Sequence, residues 1–131
     1  RTKHGIHVHG FPNAFFVQAT QGANLIPNIP HNLTEAGKTI AMIVRHACDA
    51  GAREVEVTKE AEDAWVALLL TGAGRVLGSP DCTPGYFNNE GQDPGTRGKL
   101  NVGYPAVAMA YFRYLDEWRR LGVFEGLEFR V

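Results

Sequence analysis

The sequence predicts an α/β fold with about three helices and a few short strands. Three observations carry that expectation. Three segments repeat apolar residues at helical spacing, two of them behind recognisable start signals. Two short stretches, residues 14–17 and 54–57, have strand composition instead. The chain also holds 15 glycines and 7 prolines among 131 residues, so a large share of it is turn and loop.

Taken in order, Ile6-His7-Val8 is a short apolar piece ahead of the turn chemistry of Gly10-Phe11-Pro12-Asn13. Ala14-Phe15-Phe16-Val17 is continuously apolar, too short for a core helix and rich in strand formers. It predicts a strand buried on both faces, which requires a larger sheet around it. Gly22, Asn24, Pro27, Asn28 and Pro30 then mark irregular backbone. Asn32, three residues before Glu35, predicts the N-cap of a helix running to about residue 50. Ile40, Ile43, Val44 and Ala47 form its apolar spacing, Arg45 and His46 suit its negative end, and Gly51 supplies a left-handed stop. Glu54-Val55-Glu56-Val57 alternates like a strand with one wet face. Thr58 caps a second helix with Glu60, Glu62 and Asp63 early and Trp65, Leu68 and Leu69 on one face. Residues 71–105 are mostly breakers, a loop length that is usually functional or disordered. The last helix spans about residues 106–120, with Val107, Tyr111, Tyr114, Leu115 and Trp118 as its apolar stripe and Gly122 as its end.

With 13 basic and 14 acidic residues the net charge is −1, and nothing in its distribution asks for nucleic acid or an anionic membrane. Cys48 and Cys82 are too few for a disulfide framework, which predicts a reduced, cytoplasmic protein. No run reaches the roughly 18 apolar residues of a membrane span. The chain opens on Arg1 without the apolar core of a secretory signal, so its natural start is expected elsewhere.

Gly72-Ala-Gly74-Arg-Val-Leu-Gly78 approximates a dinucleotide fingerprint, but its third glycine falls one position late and no helix opens behind it; it reads as a flexible connection. His4, His7 and His9 lack further ligands at metal spacing and read as structural or surface histidines, with no metal expected. No serine elbow, helical His-Glu-x-x-His or Walker loop is present. Asn32-Leu33-Thr34 is formally a glycosylation sequon, but its overlap with the expected cap reads as the cap alone. The loop over residues 18–31 is equally a ligand loop at a strand's carboxyl end, leading into a helix N-terminus, and an ordinary strand–loop–helix connection.

Longer motifs add a resemblance. Gly10-Phe11-Pro12-Asn13-Ala14-Phe15-Phe16-Val17, the Gln21-Gly22-Ala23-Asn24 loop and Asn28-Ile29-Pro30-His31-Asn32 resemble the C-terminal part of the flavin-dependent Baeyer–Villiger monooxygenases. Glu60-Ala61-Glu62-Asp63-Ala64-Trp65-Val66 is similar to a later helix of that family. Cys82-Thr83-Pro84-Gly85-Tyr86-Phe87-Asn88-Asn89-Glu90-Gly91 is similar to a stretch of one subgroup acting on cyclic or long-chain ketones. Tyr111-Phe112-Arg113 through Leu121-Gly122 and Phe124-Glu125-Gly126-Leu127 match the terminal helix and tail. The resemblance covers nearly the whole chain, in order.

The resemblance implies the C-terminal part of a flavoenzyme with two dinucleotide-binding Rossmann domains, one for FAD and one for NADPH. Residues 1–50 would supply the last strand of the FAD domain and its flavin-facing helix. Residues 51–131 would supply a C-terminal helical segment whose loop, residues 71–105, covers the active site. Members insert one oxygen of dioxygen next to a ketone carbonyl, giving an ester or lactone; the cofactor performs the chemistry and the protein excludes water. By match of position, Asn28, Ile29, Pro30 and His31 approach the flavin, and Asn24 and Leu25 lie near nicotinamide and substrate. Cys82, Thr83, Pro84 and Tyr86 belong to the loop over the substrate. Leu77 and Tyr86 stand where better-known members carry tryptophan and lysine, which implies a different pocket. The glycine-rich phosphate loops and the active-site arginine are absent and expected upstream, so catalytic residues stay unassigned and the isolated chain is expected to be inactive. The expected partners are a small ketone, dioxygen and N-terminal FAD and NADPH domains, with neither nucleic acid nor membrane among them. Two alternatives stand beside this: a flavin hydroxylase acting on nitrogen or sulfur, and a non-catalytic interaction module. The second expects apolar faces on residues 14–17 and the helix over 32–50 to be covered by a partner or a second copy.

Overall fold

The computed structural model describes residues 1–17, 21–23, 28–72, 83–93 and 95–131. Its elements follow in the order α1 (Ile29–Asp49), β1 (Glu54–Val57), α2 (Lys59–Thr71), a 3₁₀ turn (Tyr86–Gly91), α3 (Gly95–Gly98), α4 (Ala108–Leu121) and β2 (Leu127–Arg130). Among the described residues, three long helices, one single-turn helix and a two-stranded antiparallel sheet make up the predicted α/β arrangement.

Alternation fixes the sheet. Val55 and Val57 of β1 are buried, opposite Phe129 and Leu127 of β2. Arg130 ties the wet face with bonds to Glu54 at 3.0 Å and Glu56 at 2.6 Å. β2 is absent from the sequence expectation: four alternating residues become a strand only because β1 lies alongside. Against the sheet, α2 contributes Trp65 and Leu69, α1 contributes Ile43, and α4 contributes Tyr111, Leu115 and Trp118 to one core that Phe124 closes.

The boundaries differ in detail from expectation. α1 starts one turn early, because Asn28, not Asn32, is its cap: the Asn28 side-chain oxygen accepts the His31 backbone N–H at 3.3 Å. Pro30 fits there, where no intrahelical partner is lost, and Asn32 lies inside the helix and buried. α4 starts at Ala108, and Val107, its N-cap, projects into solvent and leaves the expected stripe. Leu68 likewise turns outward from α2. Thr58 caps α2 as expected, accepting from the Ala61 N–H, and Gly51 and Gly122 end their helices at φ +67° and +69°.

The largest correction concerns residues 14–17. Phe15 meets His7 only in an isolated bridge, and Phe16 and Val17 are exposed. Among the described residues no sheet surrounds this run, so the strand buried on both faces is not formed here. The N-terminal residues instead fold back on the core. Lys3 and His7 exchange backbone bonds across a turn in which His4 and Gly5 take φ +60° and +72°. That turn sends Ile6, His4 and His7 inward.

Candidate functional site

Helix α1 is 21 residues long and presents its N-terminus to solvent. Asn28, Ile29, Pro30 and His31 are all exposed there, and the first turn carries no acidic residue. The positive dipole end of a helix with no carboxylate in its first turn favours an electron-rich group. Exposed Ile29 and Leu33 beside it provide an apolar surface of the kind a flat ring covers.

The buried stripe of α1 is unusual in chemistry: Asn32, Glu35, Ala36 and Thr39 precede the apolar Ile43 and Ala47. The charge has a partner. Arg119, from the buried face of α4, places Nη2 at 2.7 Å from Glu35 Oε2 and 3.0 Å from Asp116 Oδ1. Its Nη1 reaches the Glu35 carbonyl oxygen at 3.2 Å and Thr39 Oγ1 at 3.3 Å. Burial works to raise the Glu35 pKa, but bonds from Lys38 and Arg119 outweigh it and hold the carboxyl below its usual range. One helical turn nearer the α1 N-terminus, the Phe112 ring stands edge-on to His31, centroids 4.6 Å apart. An open groove of about 580 Å³ runs between α1 and α4, with His31, Glu35, Lys38, Met42, Phe112 and Arg119 along it.

Sequence reasoning missed the Arg119–Glu35 pair. Its signal was present, a carboxylate and a guanidinium each lying on the apolar stripe of its helix, but the partners are 84 residues apart.

Of the sequence-predicted residues, Asn28, Ile29, Pro30 and His31 are brought together at the α1 end. Thr83 and Pro84 are exposed in a separate loop. Tyr86 opens the 3₁₀ turn, where Asn89 and Glu90 take φ +53° and +54° ahead of Gly91. Asn88 holds this loop, its side-chain oxygen accepting from the Gly85 N–H at 2.8 Å and its amide donating to the Thr83 carbonyl. Asn24, Leu25, Leu77, Cys82 and residues 74–78 of the glycine-spaced motif lie outside the described residues.

The N-terminal histidines divide. His9 is exposed, whereas His4 and His7 are buried, and burial lowers both pKa values, that of His7 to about 3. His4 packs edge-on to Trp65 and Trp118. His4 Nδ1 and His7 Nε2 are buried without a hydrogen-bond partner. Among the described residues no three of His, Cys, Asp and Glu come together as a metal site, and no helix is long and apolar enough to cross a membrane.

Comparison with known proteins is consistent along the chain. It is 40% identical over 129 residues to the FAD-binding monooxygenase hmp7 of Hypomyces subiculosus, covering 97% of this chain and 21% of that protein. It is 39% identical over 122 residues to a Baeyer-Villiger monooxygenase of Streptomyces coelicolor, covering 91% of this chain and 19% of that protein. Among solved structures, the polycyclic ketone monooxygenase of Thermothelomyces thermophila superimposes with a TM-score of 0.83 at 32% identity, over 97% of this chain and 20% of that one. An NADP-bound steroid monooxygenase shares the fold at TM-score 0.76 and 20% identity, over 99% of this chain and 23% of that one. No family model matches the chain. The chain spans about a fifth of the length of the relatives it matches.

Proposed function

We infer that this chain, which belongs with the Baeyer–Villiger monooxygenases in sequence and in fold, serves as the C-terminal portion of an enzyme that uses FAD, NADPH and dioxygen to convert a ketone into an ester or lactone. The observation carrying this reading is the unbroken likeness: 97% of the chain aligns with hmp7 and superimposes on the polycyclic ketone monooxygenase.

The residues fit part of the cofactor. The exposed, acid-free N-terminus of α1 suits the electron-rich edge of the flavin ring. The sequence holds no glycine-rich loop for the pyrophosphate, so in this reading the N-terminal FAD and NADPH domains of the longer protein bind it. Residues 1–50 complete the FAD domain, and residues 51–131 form the segment whose loop, residues 71–105, covers the active site.

Bound FAD, reduced by NADPH, supplies the oxygen-activating chemistry. This chain's residues position and shield it. Asn28 fixes the first turn of α1 by accepting from the His31 N–H, and the helix end favours negative charge on the ring. Ile29 keeps water from that edge. In the same reading Asn24 and Leu25 serve nicotinamide and substrate, and Cys82, Thr83, Pro84 and Tyr86 serve the ketone. The exposed thiol of Cys48 and the use of NADPH favour the cytoplasm.

The protein at the length of its relatives tests this. It is expected to be yellow and to oxidise NADPH faster when a cyclic or polycyclic ketone is added. A colourless protein, or one whose NADPH oxidation no ketone stimulates, contradicts the reading. Turnover of a sulfide or amine in place of every ketone points instead to a flavin hydroxylase.

A further inference from the structure

We propose that Arg119 and Phe112 of α4 are positioning residues that set where the N-terminal end of α1 lies, through the Arg119–Glu35 fork and the Phe112–His31 ring contact. The proposal rests on the reading of that end as the flavin-facing one. Within residues 28–36 only Asn32, Glu35 and Ala36 are buried, so little apolar packing locates this part of the helix. Arg119 compensates by holding three acceptors on one turn of α1: the Glu35 carboxylate, the Glu35 carbonyl oxygen and the Thr39 hydroxyl. Both side chains of the ion pair are buried, 6% and 9% exposed. A buried pair adds little stability over an apolar pair of equal volume. A planar fork on several fixed acceptors, however, admits essentially one placement, so its effect is registry. Phe112, seven residues and two turns before Arg119 on the same face of α4, meets the third residue of α1 edge-on. The two contacts bracket the first turns of α1, and a shift of α4 is thereby passed to the flavin-facing end.

The test uses the full-length flavoprotein and compares Arg119→Met, Arg119→Lys, Glu35→Gln and Phe112→Leu with two references. Asn28→Ala disturbs the α1 end directly. Trp65→Phe removes the indole bond to the Gln21 carbonyl oxygen, outside α1, and reports general loss of stability. Readouts are the visible absorption and circular dichroism bands of bound FAD and its dissociation constant. Arg119→Met is expected to displace the flavin bands in the same sense as Asn28→Ala and to weaken FAD retention by roughly tenfold, the scale on which a supporting partner acts. Glu35→Gln and Phe112→Leu are expected to do so in part. Arg119→Lys is expected to fall between wild type and Arg119→Met, because an ammonium cannot reproduce the fork. Trp65→Phe is expected to lower the melting temperature with the bands unmoved. If Asn28→Ala moves the bands while the Arg119, Glu35 and Phe112 variants leave bands and affinity at wild-type values, the positioning role is overturned and the flavin-facing reading stands. If Asn28→Ala also leaves them unmoved, that reading fails, and the positioning role with it. Arg119→Met failing to fold leaves Glu35→Gln and Phe112→Leu to decide in the same way.

Discussion

Gly126 sits at φ +88° on the approach to β2, and a methyl group there would lie 2.6 Å from the Ala61 Cβ of α2 and 3.0 Å from Lys3 Nζ. Its carbonyl oxygen meanwhile accepts the N–H of Thr58, the cap of α2. The residue is therefore a joint between helix and sheet where only glycine fits. Gly126→Ala combines left-handed strain with overpacking against a methyl on a helix, and is expected to cost at least about 2 kcal/mol. Urea denaturation checks this; a loss below about 0.5 kcal/mol contradicts it. At this scale the sequence is only partly legible. Gly51 and Gly122 can be read as helix stops because the signal is local, whereas the constraint on Gly126 comes from Ala61 and Lys3, far away in the chain. The cap of α1 moved from Asn32 to Asn28 for a related reason. Both are asparagines ahead of helical sequence, and only the structure, where Asn32 is buried inside α1 and the Asn28 side chain caps it, tells them apart.

Element by element, caps and turns can be weighed singly. Thr58 accepts the Ala61 N–H at 3.2 Å, so Thr58→Ala is expected to destabilise by about 1 kcal/mol, again by denaturation; an unchanged midpoint contradicts the cap. The N-terminal turn has a pH signature. His4 and His7 are neutral when folded because burial, with the Lys3 charge nearby, lowers both pKa values, that of His7 to about 3. Unfolded histidines titrate near 6.5. Below 6.5 the unfolded chain therefore binds more protons, and stability falls with pH until the folded pKa is passed. The carboxylates Glu35, Glu56, Asp63 and Glu117, whose pKa values lie below normal, add to the loss only near and below pH 4.5. The window from 6.5 to 4.5 thus belongs to the histidines, with a slope of up to about 1.4 kcal/mol per pH unit for each. Denaturation midpoints at pH 7 and pH 5 check this, and His7→Phe should flatten the difference; equal midpoints in the native chain contradict it. The histidine cluster was visible in the sequence, but its burial was not, since it depends on a left-handed turn at His4 and Gly5.

For the molecule as a whole, the telling feature is apolar surface left bare. α1 buries one stripe against α4 yet leaves Ile29, Leu33 and Val44 exposed along another, and Phe11, Phe16 and Val17 are bare on the N-terminal segment. A helix with apolar residues on two faces belongs between two bodies. The isolated chain is accordingly expected to bind a hydrophobic dye, and Leu33→Lys with Val44→Lys to reduce that binding several-fold. Dye binding at the level of an ordinary compact domain contradicts this. The run over residues 14–17 shows why the strand was legible in composition and not in structure: among the described residues its apolar pattern meets one isolated bridge and no sheet. The same holds for the site. Asn28–His31 could be named from sequence, while Arg119 emerges only once α4 lies on α1.

The proposed function makes this chain part of an enzyme that places an atom of dioxygen beside a ketone carbonyl. The most direct measurement supplies the protein, at the length of its relatives, with NADPH, a cyclic ketone and ¹⁸O-labelled dioxygen, and follows the product by mass spectrometry. A lactone carrying one labelled oxygen, formed only when NADPH is present, is the expected product of that function. Recovery of unaltered ketone while NADPH and dioxygen are consumed, or a product labelled elsewhere than in the new ring, would contradict it.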